Sequence, residues 1–296
     1  MKTISTLLNR RDLLNLGVAA ASMPVAVTNR RMANASDPRR FRIVDTNVSL
    51  FRWPFRRLPL DETGKLVSKL RSLGIDQAWA GSFEAILHRD LTAANRRLAQ
   101  VCRAWPELIP IGSINLQLPD WEGDLKCCLD RHQMPGVRVY PNYHGYRLDD
   151  PRFARLVELV CQAGRFLQIA TAMEDTRTQH RLVRVADVDL APLVDVMPKF
   201  ADARVQLLNY RPGVATLKRL AKLPGLYFDT SRVEATDGVP QLVRQVPEGQ
   251  VLLGTNAPLL IPEAAMVRVH ESGQLDDAGL RSVLGDNADR LLKANA

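Results

Sequence analysis

The residues best suited to chemistry lie in one stretch, Glu174-Asp-Thr-Arg-Thr-Gln-His180. Glu174, Asp175 and His180 together can supply a general acid and a general base, and Arg177 carries the planar fork that binds a carboxylate bidentately. The competing reading is a loop in which Asp175 and Arg177 form a local ion pair. A second polar group lies in Tyr140-Pro-Asn-Tyr-His-Gly-Tyr146, where His144 stands among three tyrosines that can line a pocket with apolar faces and hydroxyl tips. His144 is a candidate base, metal ligand or substrate donor, or else a packed loop histidine; Tyr140 and Asn142 are candidate substrate contacts. Arg138 alternates with Val137 and Val139. It is either an anion-binding residue inside the fold or the partner of a core carboxylate such as Asp45 or Asp229.

What must position these residues is a repeating scaffold. Eight short aliphatic or β-branched runs read as strands: 42–46, 77–80, 109–114, 136–140, 166–170, 204–208, 226–229 and 251–254. Between them lie segments with apolar residues three and four apart, such as 153–163, introduced by Asp149-Asp150-Pro151 and stopped at Gly164. Eight strand and helix pairs over roughly 250 residues predict a single-domain (β/α)8 barrel. An open doubly wound sheet is the rival, but no Gly-x-Gly-x-x-Gly follows the first strand to open a nucleotide site. In a barrel the loops after the strands converge on one mouth, so the residues there are the ones to read. Besides those above they include Asn47 and Ser49, Asn209, Asp229 and Ser231, and Asn256. Trp53, in Phe51-Arg-Trp-Pro-Phe55, is expected to anchor a loop beside the mouth.

Several of these stretches resemble the amidohydrolase-related family, the amidohydrolase 2 branch of the metal-dependent hydrolases. Val44-Asp-Thr46 is similar to its first strand and Gly136-Val-Arg-Val-Tyr140 to its fourth. Leu252-Leu-Gly-Thr-Asn-Ala-Pro258 resembles its last-strand Gly-Thr/Ser-Asp-x-Pro, and Leu284-Gly-Asp-Asn-Ala-Asp-Arg-Leu-Leu292 its closing helix. The resemblance implies a TIM barrel that hydrolyses or decarboxylates small aromatic or dicarboxylic acids with a bound metal. It also implies histidines after the first, fifth and sixth strands and an aspartate after the last. Those places hold Asn47 and Ser49, Ala170, Asn209 and Asn256. A catalytic zinc takes three ligands from imidazole, thiolate or carboxylate. The expected protein therefore acts on a small carboxylated molecule without the usual metal, with no other cofactor; a metal in a rearranged site stays open. Its catalytic residues are Glu174, Asp175, His180 and His144, and its substrate contacts Arg138, Tyr140, Asn142, Arg177, Asn209 and Asn256. The alternative is a non-catalytic pseudoenzyme that holds a small anionic ligand.

Residues 1–35 read as a segment separate from the barrel at 36–296. Arg10-Arg11 precedes an apolar run at 16–27 and a small-residue Ala33-Asn-Ala35, the order of a twin-arginine export signal, which implies a periplasmic or other extracytoplasmic location. The run of about a dozen residues is short of the roughly 20 that span a bilayer. Five of the 40 basic residues but only one of the 32 acidic ones fall in this segment, so much of the net charge of +8 belongs to it. No basic run interleaved with aromatics points to nucleic acid. Cys102, Cys127, Cys128 and Cys161 have no metal-site spacing and are expected as unpaired thiols.

Overall fold

In the computed structural model, which describes residues 41–211, 213–271 and 273–293, the aliphatic runs form parallel strands alternating with helices. The strands are β1 Val44–Leu50, β2 Gln77–Ser82, β3 Leu108–Pro110, β4 Gly112–Ile114, β5 Gly136–Val139, β6 Phe166–Ala170, β7 Val205–Leu208, β8 Leu226–Asp229 and β9 Val251–Leu252. Their order is β1-β2-β3 and β4 through β9 in sequence, all parallel. β3 and β4 are two halves of one barrel strand, parted at Ile111, whose N–H still reaches Ala80 O at 2.9 Å. The ring closes where Thr46 N donates to Leu253 O and Ser49 N to Ala257 O, both at 2.9 Å. The result is the expected TIM barrel. Residues 1–35, the export-signal expectation, lie outside the described residues.

Local sequence explains the helices. In the helix Pro151–Gln162, Asp150 caps the first turn through its carboxylate, proline takes a position with no N–H to lose, and Phe153, Leu156, Val157 and Val160 are buried. The helix Leu91–Arg103 is built alike, with Asp90 accepting from Ala93 N. All four cysteines are unpaired thiols, Cys102 and Cys128 buried. No helix among the described residues is long and apolar enough to cross a membrane.

Two boundaries differ from expectation, and both bear on the mouth. β1 does not stop at Thr46 but continues to Leu50, with a register shift against β2 between Asp45 and Val48. Such a bulge re-aims side chains. Asn47 and Ser49 are therefore buried strand residues, not loop residues. The last strand is only two residues long, and the chain beyond it turns inward through Thr255 and Asn256, both buried.

The barrel interior is polar across a row of three registered strands, Arg138 on β5, Gln168 on β6 and Gln206 on β7. Arg138 Nε donates to Gln168 Oε1 at 2.9 Å, Gln168 Nε2 to Gln206 Oε1 at 2.8 Å, and Gln206 Nε2 to Thr46 Oγ1 at 2.6 Å. The long arginine fits because β2 offers glycine opposite it: a Cβ on Gly81 would stand 2.6 Å from Arg138 Nη1.

Gly225, just ahead of β8, has φ +71°, and a Cβ there would lie 2.0 Å from Ala203 O. Gly225→Ala should therefore cost about 2 kcal/mol or more of unfolding free energy, read as a lower urea midpoint; an unchanged midpoint would contradict this packing.

Candidate active site

The mouth is organised by Asn47. Its Nδ2 donates to Asn209 Oδ1 at 2.8 Å and to Asp229 Oδ2 at 2.7 Å, so one amide joins β1 to the ends of β7 and β8. Ser231 Oγ stands 2.9 Å from both Asn209 Oδ1 and Asp229 Oδ2, and Asn209 N donates to Asp229 Oδ1 at 3.0 Å. All four residues are buried. Asn209 has φ 58° and Asn256 φ 55°, left-handed values that asparagine tolerates better than most side chains. Backbone conformation is thus one reason asparagine stands at these two strand ends. Asn209 Nδ2 donates to Ala172 O at 2.6 Å and Asn256 Nδ2 to Met173 O at 3.3 Å, tying both to the segment after β6.

A second buried carboxylate, Asp45, accepts Thr255 Oγ1 at 2.6 Å and the backbone N–H groups of Asn47 and Thr255. Burial pushes the Asp45 carboxyl up to about 7 and the Asp229 carboxyl up to about 6, against the opposing pull of their hydrogen bonds. Asp45 also feels Asp229 as a like charge. Neither aspartate is an ion-pair partner of Arg138.

Arg138 is 1 % exposed. Nη1 donates to Val48 O and Ser49 Oγ, each at 3.1 Å, while Nη2 has no partner. The Tyr140 hydroxyl lies within reach of both Arg138 and Ser113, but neither its oxygen nor Ser113 Oγ meets a well-formed hydrogen bond, and both are buried. Above this group Trp53 packs edge-on against Phe83 at 5.0 Å and Tyr143 at 5.9 Å. Trp53 is buried, as expected of a loop anchor. Its loop begins at Phe51, φ 70°, and is held down by Arg56, whose Nη2 pairs with Glu174 Oε1 at 2.7 Å.

The four residues expected to be catalytic are not joined to one another by any hydrogen bond or ion pair among the described residues. Glu174 is buried and taken by Arg56. Asp175 is held by Arg177 at 2.9 Å and Arg211 at 3.0 Å, with the Arg177 guanidinium first among the causes that hold its carboxyl well below the usual carboxylate range. The local Asp175–Arg177 pair is therefore what forms, and Arg177 is a surface residue. His180 is exposed and accepts Leu182 N at 3.3 Å through Nδ1. His144 is buried, its Nε2 3.0 Å from Ala85 O, and burial lowers it to about 4, so it is a neutral imidazole with Nδ1 unpartnered. Asn142 reaches away to Ala186 O at 3.0 Å. Of the expected contacts, Arg138, Tyr140, Asn209 and Asn256 are buried at the barrel end. Asp45, Asp229, Ser231 and Thr255 complete it. Their positions at strand ends were readable, but their mutual pairing runs between residues up to 210 apart.

An eight-stranded parallel α/β barrel with its polar residues at the strand ends defines the (β/α)8 barrel class. Within it, the family model described as Amidohydrolase (Amidohydro_2) matches residues 54–294, and the chain belongs to that family. No curated protein matches the chain. Among solved structures, the 5-carboxyvanillate decarboxylase of Novosphingobium aromaticivorans, complexed with manganese and 4-hydroxy-3-methoxy-5-nitrobenzoic acid, superposes at TM-score 0.68. It shares 15% identity over 86% of this chain and 97% of that one. The 2,6-dihydroxybenzoate decarboxylase from Rhizobium gives 0.64, with 14% identity over 85% of this chain and 100% of that one. Metarhizium anisopliae IDCase in apo form gives 0.65, with 12% identity over 88% and 98%.

The groups at this mouth do not fit a divalent ion such as the manganese of the Novosphingobium structure. Asn47 presents an amide N–H pair to its neighbours, and Ser49 Oγ already accepts from a guanidinium. The Asp229 oxygens are filled by an amide, a hydroxyl and a backbone N–H, and no imidazole enters the group. Among the described residues no three His, Cys, Asp or Glu side chains are grouped to hold a metal.

Because Asp45 and Asp229 bind protons more tightly folded than unfolded, they add stability that fades as pH rises from about 4 to their folded values near 7 and 6. His144 and Asp175 act in the opposite sense but are common to every variant. Urea unfolding of wild type, Asp45→Asn and Asp229→Asn from pH 4.5 to 7.5 should show each variant gaining on wild type as pH rises. Parallel curves would contradict raised carboxyls.

Proposed function

We propose that the barrel mouth binds a small carboxylated molecule through Arg138 and acts on it, by decarboxylation or hydrolysis, without a divalent metal. The observation that carries this reading is the buried guanidinium whose Nη2 is unpaired beside the unpaired oxygens of Tyr140 and Ser113. A buried cation without an anion costs about several kcal/mol, and a carboxylate placed there would accept from Arg138 and from both hydroxyls. Trp53, Phe83 and Tyr143 supply the flat apolar walls above it. The solved neighbours named for carboxyvanillate and dihydroxybenzoate are consistent with such a ligand.

Arg138 and the Asn47 group face each other along β1. Ser49, which contacts Arg138, and Asn47, which contacts Asp229, are two residues apart on one strand face, about 7 Å at strand rise. A carboxylate anchored on the arginine thus brings its α-carbon toward the Asp229 carboxyl, which burial pushes up to about 6, so that a fraction holds the proton a donor to carbon or to a leaving group needs. Entry requires the Trp53 loop to lift, which means releasing Glu174 from Arg56. A second reading, ligand binding without turnover, is favoured by the same hydrogen bonds that occupy Asp229 so fully.

Calorimetric titration with benzoate after chelator treatment tests both. Wild type should bind, and Arg138→Met should bind about tenfold or more weakly. Carbon dioxide release or ester cleavage in the chelated protein supports the enzyme, and binding without turnover supports the second reading. Undiminished binding by Arg138→Met, or turnover only after metal is added, would sink the proposal. We propose in addition that residues 1–35 direct export; a cytoplasmic pool of full-length protein in a twin-arginine-competent host, unaltered by Arg10→Lys with Arg11→Lys, would refute that.

A further inference from the structure

A second arginine is buried without a direct ion pair. Arg232 follows β8 by three residues and is 4 % exposed. One of its nitrogens, Nη2, donates to Met173 O at 3.1 Å, while Nε has no partner. No ion pair joins it to a carboxylate among the described residues, and burial lowers its hold on the proton. Its side chain forms part of the wall of a cavity of about 270 Å³. Arg211 lines the same cavity, with Leu217, Val233 and Leu242 giving apolar surface and Gln241 an amide at the edge. One carboxylate, that of exposed Glu234, also lines it, and it pairs with neither arginine. Arg211 is partly compensated by Asp175 at 3.0 Å. Arg232 is not.

We propose that this cavity, between the loops that follow β7 and β8, is a binding site for a small anionic group, a carboxylate or a phosphate, carried on a short apolar body. The charge argument is that two arginines line the cavity, one of them desolvated and without a direct ion pair, against a single exposed acid in the lining. A desolvated guanidinium with a free N–H forms strong, directional bonds to carboxylate or phosphate oxygens. The size argument is that about 270 Å³ lies just under the usual range of small-molecule sites, about 300 Å³ upward, which suits a fragment-sized ligand. The apolar wall of Leu217, Val233 and Leu242 favours a ligand with a short hydrocarbon portion over a bare ion. Arg232 and Arg138 bond to different carbonyls, Met173 O and Val48 O, although Met173 O is also where Asn256 of the mouth is tied.

The test uses the full chain at constant ionic strength, with inorganic phosphate in one arm and butyrate in the other. Thermal unfolding and calorimetry should show saturable binding of at least one probe, which assigns the anion chemistry. With Arg138→Met in the background, so that no probe is held on the barrel axis, adding Arg232→Met should weaken the remaining binding about tenfold or more. If Arg232→Met does not unfold cooperatively, Arg211→Met, at a more exposed position, should still weaken the probe severalfold. No saturable binding of either probe overturns the proposal. So does an affinity that neither Arg232→Met nor Arg211→Met lowers in the Arg138→Met background, or loss confined to Arg138→Met, which would place the anion on the barrel axis instead.

Discussion

The two N–H bonds of the Asn47 amide are the constraint around which the mouth is arranged. They run to Asn209 at the end of one strand and Asp229 on another. Once the amide is there, Ser231 and the Asn209 backbone complete the shell of Asp229, and the carboxylate becomes a hydrogen-bond hub instead of a ligand. The bulge in β1 makes this possible by turning Asn47 and Ser49 inward from one short stretch. Ser49 then fixes the opposite side, by accepting from Arg138.

With acid and base so divided, the interior holds desolvated charges of both signs that do not pair. Arg138 lies among glutamines, a serine and a tyrosine, and the aspartates among asparagines, serine and threonine. Direct pairing would have cancelled them and left nothing to recognise an anion. Keeping them apart costs stability, and part of that cost is met by the closed aromatic cap and the Arg56–Glu174 pair that hold water out.

How far this was legible in the sequence follows from the range of each interaction. Parallel strands buried on both faces read as apolar runs, so seven of the eight barrel strands fall within a residue or two of expectation, and the helix with Asp150 and Pro151 at its start was readable from its own residues. The Asp175–Arg177 pair was readable too, because its partners are two residues apart. The partner of Glu174 is 118 residues away, and His144 meets a carbonyl 59 residues away; neither leaves a local signal. The same holds for β1, where the polar residues that suggested a loop are strand residues whose partners lie across the barrel. Asn209 and Asn256 carried a double meaning, since left-handed backbone and hydrogen bonding both favour asparagine.

Under the function proposed above, hydrogen bonds from Asn47 stand in for a metal in this member of the amidohydrolase family. Elemental analysis of the protein, purified without chelator and dialysed against manganese or zinc before desalting, tests it most directly. The account predicts bound metal far below one ion per chain and the same content in Asp229→Asn. One tightly held ion per chain, lost in Asp229→Asn, would contradict it.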